Sequence, residues 1–321
     1  QEIIFTASRS GRLTIESLDA NGSPISLLTD LPPSDTEPAW APDGSRLAFT
    51  SGREATLAIY VMDAEGTNQR LVSASSEGNN RGPSWSPDGQ FIAFETTRDL
   101  NSEIYTVRPD GSDLKRITQS IQADTEPAWS PDGTKIAFVR VTVEETFGQE
   151  EPLLNKDIWL MNPDGGEPTR MTSDFTAETG PAWSPDGTQL TWESERETGR
   201  EIIIANADGS GQRVLAQGGG NDTEASWSPD GLRLSFTLEV DGNAEVYLVN
   251  ADSTALTRLT DFPGSDRSAE WSPDGQRLAF VSDREGDEEI YVINPDGTGL
   301  ARITPSERTD EVGPRWRPSQ Q

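Results

Sequence analysis

The chain contains no cysteine and no histidine. Disulfides, thiolate chemistry, histidine-ligated zinc and every histidine-based triad are excluded by that inventory. Missing cysteine is compatible with an exported protein that relies on a large core instead of covalent staples. Lysine is nearly absent, at Lys115, Lys135 and Lys156, so the positive charge is almost all arginine. Cations are outnumbered, 26 against 55 acidic residues, for a net charge of −29 over 321 residues. Nucleic acid and anionic membrane surfaces attract clustered Lys and Arg, so neither is an expected partner. A cation, a basic protein segment or a cationic polymer suits the charge better, and the same charge also serves solubility. No apolar run approaches the roughly 20 residues of a membrane span. The sequence opens on Gln1 and not on Met. A mature exported protein (periplasmic, cell-surface or extracellular) with its signal peptide removed is expected.

What is present is a repeat. Trp-Ser-Pro-Asp-Gly or a close variant starts at Trp40, Trp85, Trp129, Trp183, Trp227 and Trp271, with a degenerate copy at Trp316-Arg317-Pro318. The spacings are 45, 44, 54, 44, 44 and 45 residues. Each Trp is followed by the turn and then by a short apolar run such as Leu47-Ala48-Phe49 or Ile136-Ala137-Phe138. A polar loop leads to a third run such as Ile59-Tyr60-Val61, and a second Asp-Gly turn leads to a fourth that ends near Thr, as in Arg302-Ile303-Thr304. Short β-branched and aromatic runs bounded by turn residues are strands. In the turns Pro pre-sets φ, Asp caps its own backbone and Gly accepts positive φ. Four strands in about 44 residues make one propeller blade.

The ends of the sequence complete the count. Ile3-Ile4-Phe5-Thr6, Leu13-Thr14-Ile15 and Ile25-Ser26-Leu27-Leu28 are strands two to four of a blade without its Trp strand, and Gly313 to Pro318 is a Trp strand with nothing after it. Together they close one blade and remove an open edge. The expectation is an all-β, seven-bladed β-propeller of four antiparallel strands per blade, spanning residues 1–321 as a single domain. The repeated tryptophans are expected between blades, burying roughly 150–250 Å² each.

The Trp-Ser-Pro-Asp-Gly units with their Ile-Ala-Phe runs resemble the TolB-like β-propeller repeat family over nearly the whole chain. Absence of His rules out the Gly-His signature of WD repeats, and in Ser-Pro-Asp-Gly the Gly falls one residue early for a sialidase Asp-box. The resemblance implies a Trp strand innermost in each blade, docking of partners at a central tunnel, and an electronegative tunnel mouth that can hold Ca²⁺. Two departures are visible. TolB has six blades and an extra N-terminal domain. The related propeller peptidases carry a hydrolase domain with Ser and His.

With the Trp strand innermost, the loops before it ring the tunnel mouth. Five residues before each Trp stand Asp35, Asn80, Asp124, Glu178, Asp222, Asp266 and Glu311; three before it, Glu37, Glu126 and Glu224 add more. Three roles stay open for this acidic ring: caps of local turns, a docking ring for a basic partner, or a Ca²⁺ site held by Asp35, Asp124, Glu178, Asp222, Asp266 and Glu311, since hard oxygen ligands suit Ca²⁺ or Mg²⁺. The extra ten residues of the third unit are expected as a long loop over Val139 to Asp157, on the same face, with Glu144, Glu145, Phe147, Glu150, Glu151, Leu153 and Leu154. Arg-x₄-Glu at Arg98/Glu103, Arg196/Glu201 and Arg284/Glu289 reads as a bridge across a loop base.

No unique catalytic constellation breaks the repeat, and the His-based metal site of TolB-like pectate-degrading lyases is closed to this chain. The leading expectation is a non-catalytic exported scaffold that docks a protein or polymer at its acidic face, with or without Ca²⁺. The alternatives are a structural subunit that stacks with copies of itself into a filament or layer, and a carboxylate-based glycan-acting enzyme.

Overall fold

A computed structural model of the chain describes residues 1–9, 11–23, 26–30, 34–73, 78–144, 153–197, 199–216, 219–305 and 310–319, the side chains of Glu144 and Leu153 excepted. Its strands form seven four-stranded antiparallel sheets. We number the blades I to VII by their inner strands, Asp35–Trp40, Asn80–Trp85, Asp124–Trp129, Glu178–Trp183, Asn221–Trp227, Asp266–Trp271 and Glu311–Trp316. Each inner strand touches the next around a closed ring, VII against I included. The architecture is the expected seven-bladed propeller. Blade VII joins Glu311–Trp316 to Glu2–Arg9, Arg12–Asp19 and Ser26–Leu27. Ile3 pairs with Trp316 there, and Arg317 reaches Glu2 across the same seam at 2.7 Å.

The Ser-Pro-Asp-Gly turns close as their chemistry dictates. Ser86 Oγ donates to Asp88 Oδ1 at 2.6 Å, that oxygen accepts the Gln90 N–H, and Ser86 Oγ accepts the Phe91 N–H. Asp132, Asp186, Asp230 and Asp274 repeat the bond from their serines. Between blades lie the second-strand aromatics Phe49, Phe94, Phe138, Trp192, Phe236 and Phe280, all essentially inaccessible. Full burial of one such ring contributes about 1.5–3 kcal/mol. Of the repeat tryptophans, Trp85, Trp227, Trp271 and Trp316 are buried and Trp40, Trp129 and Trp183 are half-buried. Several indoles donate to the inner strand of the preceding blade, as Trp85 to Ala39 O (3.0 Å) and Trp316 to Glu270 O (3.0 Å).

Every inner strand carries a β-bulge at the same place. The register with the second strand shifts in the middle of the strand. The third residue before each Trp has positive φ: Glu37 (52°), Gly82 (60°), Glu126 (54°), Gly180 (66°), Glu224 (57°), Ser268 (55°) and Gly313 (63°). Left-handed backbone suits glycine and strains glutamate. Bulges bend a strand and re-aim a side chain, and that is their effect here.

The expected loop over Val139 to Asp157 is a lengthened hairpin. The second and third strands of blade III run Ile136–Glu144 and Leu153–Met161, in register from Ile136↔Met161 to Glu144↔Leu153. The added residues continue an existing ladder, because Val141 and Val143 keep the apolar alternation of the strand. Val143 and Leu154 are cross-strand partners and exposed. Glu145, Phe147, Glu150 and Glu151 lie outside the described residues.

Candidate functional site

The acidic positions divide into two sets with different surroundings. Those five residues before Trp open the inner strands, or in blade V stand second, and Asp35, Asn80, Asp124, Glu178, Asp222, Asp266 and Glu311 are each 2% exposed or less. They point between blades and do not line a tunnel mouth. Most meet an arginine. Arg53 Nη2 bonds Asp35 at 2.7 Å, Arg98 bonds Asn80 Oδ1 at 2.7 Å, Arg140 grips Asp124 through two bonds at 2.6 and 2.7 Å, and Arg284 bonds both oxygens of Asp266. The arginines also lie over aromatic rings, as Arg284 over Tyr291 at 4.5 Å and Arg140 over Trp159 at 4.6 Å. A guanidinium stacked on a ring and forked onto a carboxylate is a strong, specific arrangement.

Blades IV and V differ. Asp222 lies opposite Leu238, and its Oδ1 accepts no hydrogen bond; Glu178 Oε2 likewise has none. Burial, reinforced by the charge of Glu201, pushes the Asp222 carboxyl up to about 7. Burial also pushes Glu178 up to about 7, with the charges of Asp157 and Asp174 adding.

The second set is at the bulges. Glu37, Glu126 and Glu224 are exposed on the inner strands, and each carboxylate crosses to the next blade. Glu37 accepts the Gly82 N–H at 2.9 Å, Glu126 the Gly180 N–H at 2.7 Å, and Glu224 both the Ser268 N–H and hydroxyl at 2.8 Å. Two more glutamates, missed in the sequence, fill the alternate blades from the second strand. Glu193 accepts the Glu224 N–H at 2.8 Å and Glu95 the Glu126 N–H at 3.4 Å. The visible signal was the residue after each second-strand aromatic, as in Phe94-Glu95 and Trp192-Glu193. Glu37, Glu95, Glu126, Glu193 and Glu224 therefore make a belt across blades I to V. Burial raises the Glu95 carboxyl above its ordinary value; the bond from the Glu126 amide opposes this, and the charges of Glu126 and Glu37 add to it. Burial likewise raises Glu193, with Glu224 and Glu126 adding and Arg200 opposing.

The belt stops at blades VI and VII, where Ser268 and Gly313 stand at the bulge and Val281 and Thr6 on the second strand. A cavity of about 460 Å³ opens on this side, lined by Glu224, Ser226, Ser268, Glu270, Gly313 and Arg315 among others. Arg315 pairs with Glu270 within it.

Ca²⁺ takes six to eight oxygens. Among the described residues no three carboxylates are placed to hold a metal ion, so the six acids expected as its ligands do not fit one. They are spread around the ring, and Asp35, Asp124 and Asp266 are already neutralised by arginine. The Arg-x₄-Glu bridge forms only as Arg196–Glu201 at 3.7 Å. Arg98 and Arg284 turn inward to Asn80 and Asp266, while Glu103 and Glu289 pair with Arg116 and Arg302 of the outer strands. A strand that alternates sides cannot present Arg and Glu of that spacing to one partner once the Arg is drawn into the junction.

The family model of the TolB beta propeller domain matches residues 66–142 and 201–321, more than half of the chain. Among solved structures, TolB from Acinetobacter baumannii is similar at 20% identity and a TM-score of 0.60, covering 99% of this chain and 82% of that one. An oligogalacturonate lyase in complex with manganese matches at 17% identity and a TM-score of 0.70, over 96% of this chain and 86% of that one. A puromycin-hydrolyzing peptidase of Mycobacterium tuberculosis matches at 14% identity and a TM-score of 0.74, over 94% of this chain but 50% of the peptidase. At these identities the likeness is one of fold.

Proposed function

Since this chain belongs to the TolB beta propeller domain family, we propose that it is a non-catalytic, exported binding scaffold that takes a basic protein segment or cationic polymer at its central tunnel. The observation that carries this reading is the glutamate belt of blades I to V. Three of its members are held at positive φ, where a glutamate costs more than a glycine, and three other blades do use glycine there. Strain of that kind, of order 1–3 kcal/mol per site, is kept where the aimed side chain has work to do. Repulsion among five carboxylates is relieved by a cation, and an incoming Arg or Lys chain supplies several at once. Blades VI and VII, where Ser268 and Gly313 replace the bulge glutamates and Glu270 is paired with Arg315, give the guest a side without unpaired carboxylates on which to lie. Export accords with the resemblance to the periplasmic TolB propeller, and no helix of the described residues is long and apolar enough to cross a membrane.

The test is fluorescence anisotropy of a labelled Arg/Lys-rich peptide against the wild type and the triple variant Glu37→Gln/Glu126→Gln/Glu224→Gln. The variant should lose at least about tenfold in affinity, or roughly 1.4 kcal/mol, and show a flatter dependence on salt. An unchanged affinity in a folded triple variant would remove the tunnel from consideration.

A further inference from the structure

The opposite face, where the Ser-Pro-Asp-Gly turns lie, carries an asymmetry of its own. In four blades an arginine of the preceding blade stands over the repeat tryptophan. Arg46 lies 5.2 Å from the Trp85 ring, Arg233 4.8 Å from Trp271, Arg277 5.5 Å from Trp316 and Arg317 5.2 Å from Trp40. Arg46, Arg233 and Arg277 each follow their own blade's Trp by six residues. The residue so placed before Trp183 is Lys135, and its Nζ is engaged by Asn162 Oδ1 at 2.7 Å. Beside Trp183 there is instead a cavity of about 430 Å³, lined by Trp183, Leu160, Met171, Lys135, Asp132 and Asp208 among others. That volume is within the roughly 300–1,000 Å³ of small-ligand sites.

We propose that this cavity binds an alkylguanidinium group, stacked on Trp183 with its charge met by Asp132 and Asp208. The chain itself is the template: the same indole surface is covered by a guanidinium in four other blades. A guanidinium is planar and weakly hydrated, so it stacks on an indole where an ammonium prefers water. The apolar floor of Leu160 and Met171 suits the methylene stem. Asp132 and Asp208 are kept ionised by hydrogen bonds within their turns, from Ser130 and Thr134 to the first and from Ser210 to the second, which hold both carboxyls below the usual range. The guanidinium can come from a free small molecule or from an arginine of a partner, and the chemistry of recognition is shared. This site is on the other face from the tunnel, so its failure would leave the tunnel reading standing.

Indole ¹⁵N–¹H spectra of the full chain provide the test, with the Trp183 signal assigned through Trp183→Phe. N-acetyl-arginine amide should shift that signal saturably in the millimolar range, while the lysine and alanine amides should not. Lys135→Arg should fill the slot from within, as in the other blades, and abolish the shift while the remaining indole signals stay in place. Asp208→Asn, which leaves the slot open, should weaken binding roughly threefold to tenfold. A blocked Gly-Arg-Gly peptide that binds more tightly than the amide assigns the slot to a partner's arginine, and equal binding assigns it to a free guanidine. No saturable shift with the arginine amide, an equal shift with the lysine amide, or binding undiminished in Lys135→Arg would overturn the proposal.

Discussion

Blades I, III and VI and blades IV and V carry an acid at the same buried place, five residues before the Trp, and treat it in opposite ways. In blade III Asp124 is forked by Arg140, and in blade VI both oxygens of Asp266 accept from one nitrogen of Arg284. In blade V the aromatic pair Phe236 and Tyr247 is still present, 5.8 Å apart, but Leu238 and Val240 occupy the places from which an arginine would reach Asp222. In blade IV Arg196 stands at the right distance along the chain, yet the longer hairpin of Gln189–Arg196 and Gly199–Asn206 carries it toward Glu201 and Asp174. The lesson is that a buried acid is tolerated in two states. It is one half of an ion pair where a guanidinium is in reach, and where none is, burial pushes its carboxyl up to about 7.

The largest effect comes from removing an arginine where one exists. Arg284→Met leaves Asp266 buried and unpaired and should destabilise the fold by about 3–5 kcal/mol, read as a fall in the urea midpoint; a loss below 1 kcal/mol would mean that the pair contributes little. The acids without an arginine respond to pH instead. Asp222 and Glu178 bind protons in the folded state up to about pH 7 but in the unfolded chain only to about pH 4. Their contribution to stability is therefore full below the unfolded value and is lost as pH rises through the folded value. Asp222→Asn should recover on the order of 1 kcal/mol or more at pH 8 and little at pH 4, measured as paired denaturation curves. An equal gain at both pH values would show that titration is not the cause. The smallest effect belongs to the half-exposed pair Arg196–Glu201. Glu201→Gln should change stability by about 0.5 kcal/mol or less, and a larger loss would show that Arg196 also supports Glu178.

Most of the architecture was legible in the sequence because it is written seven times. The Trp spacing, the turn chemistry and the split last blade each carried one signal, and all agree with the fold. The site was legible only in part. Residue type placed Asp35 and Glu37 in one acidic ring, but the bulge between them buries one and leaves the other exposed. Positive φ at a glutamate has no signature in composition; the alternation with Gly82, Gly180 and Gly313 at the same repeat position was the clue to it. The arginine partners had a signal too, since Arg53, Arg98, Arg196 and Arg284 each follow the strand-opening residue by 18 positions. What that spacing could not tell is where a hairpin lengthens and takes its arginine elsewhere, as blade IV does.

The seam of blade VII has a mechanical side. Glu2–Arg9 and Glu311–Trp316 run antiparallel, with Ile3 opposite Trp316 and Ala7 opposite Glu311. A tension applied at Glu2 and Arg317 therefore acts at one end of the ladder, across its rungs. Such a load opens the bonds in sequence, like a zip, whereas the turns that join strands within the other blades would have to be sheared. Under force the ring should yield at its clasp first, at a threshold set by the Arg317–Glu2 pair and the first few rungs, with the other six blades still folded.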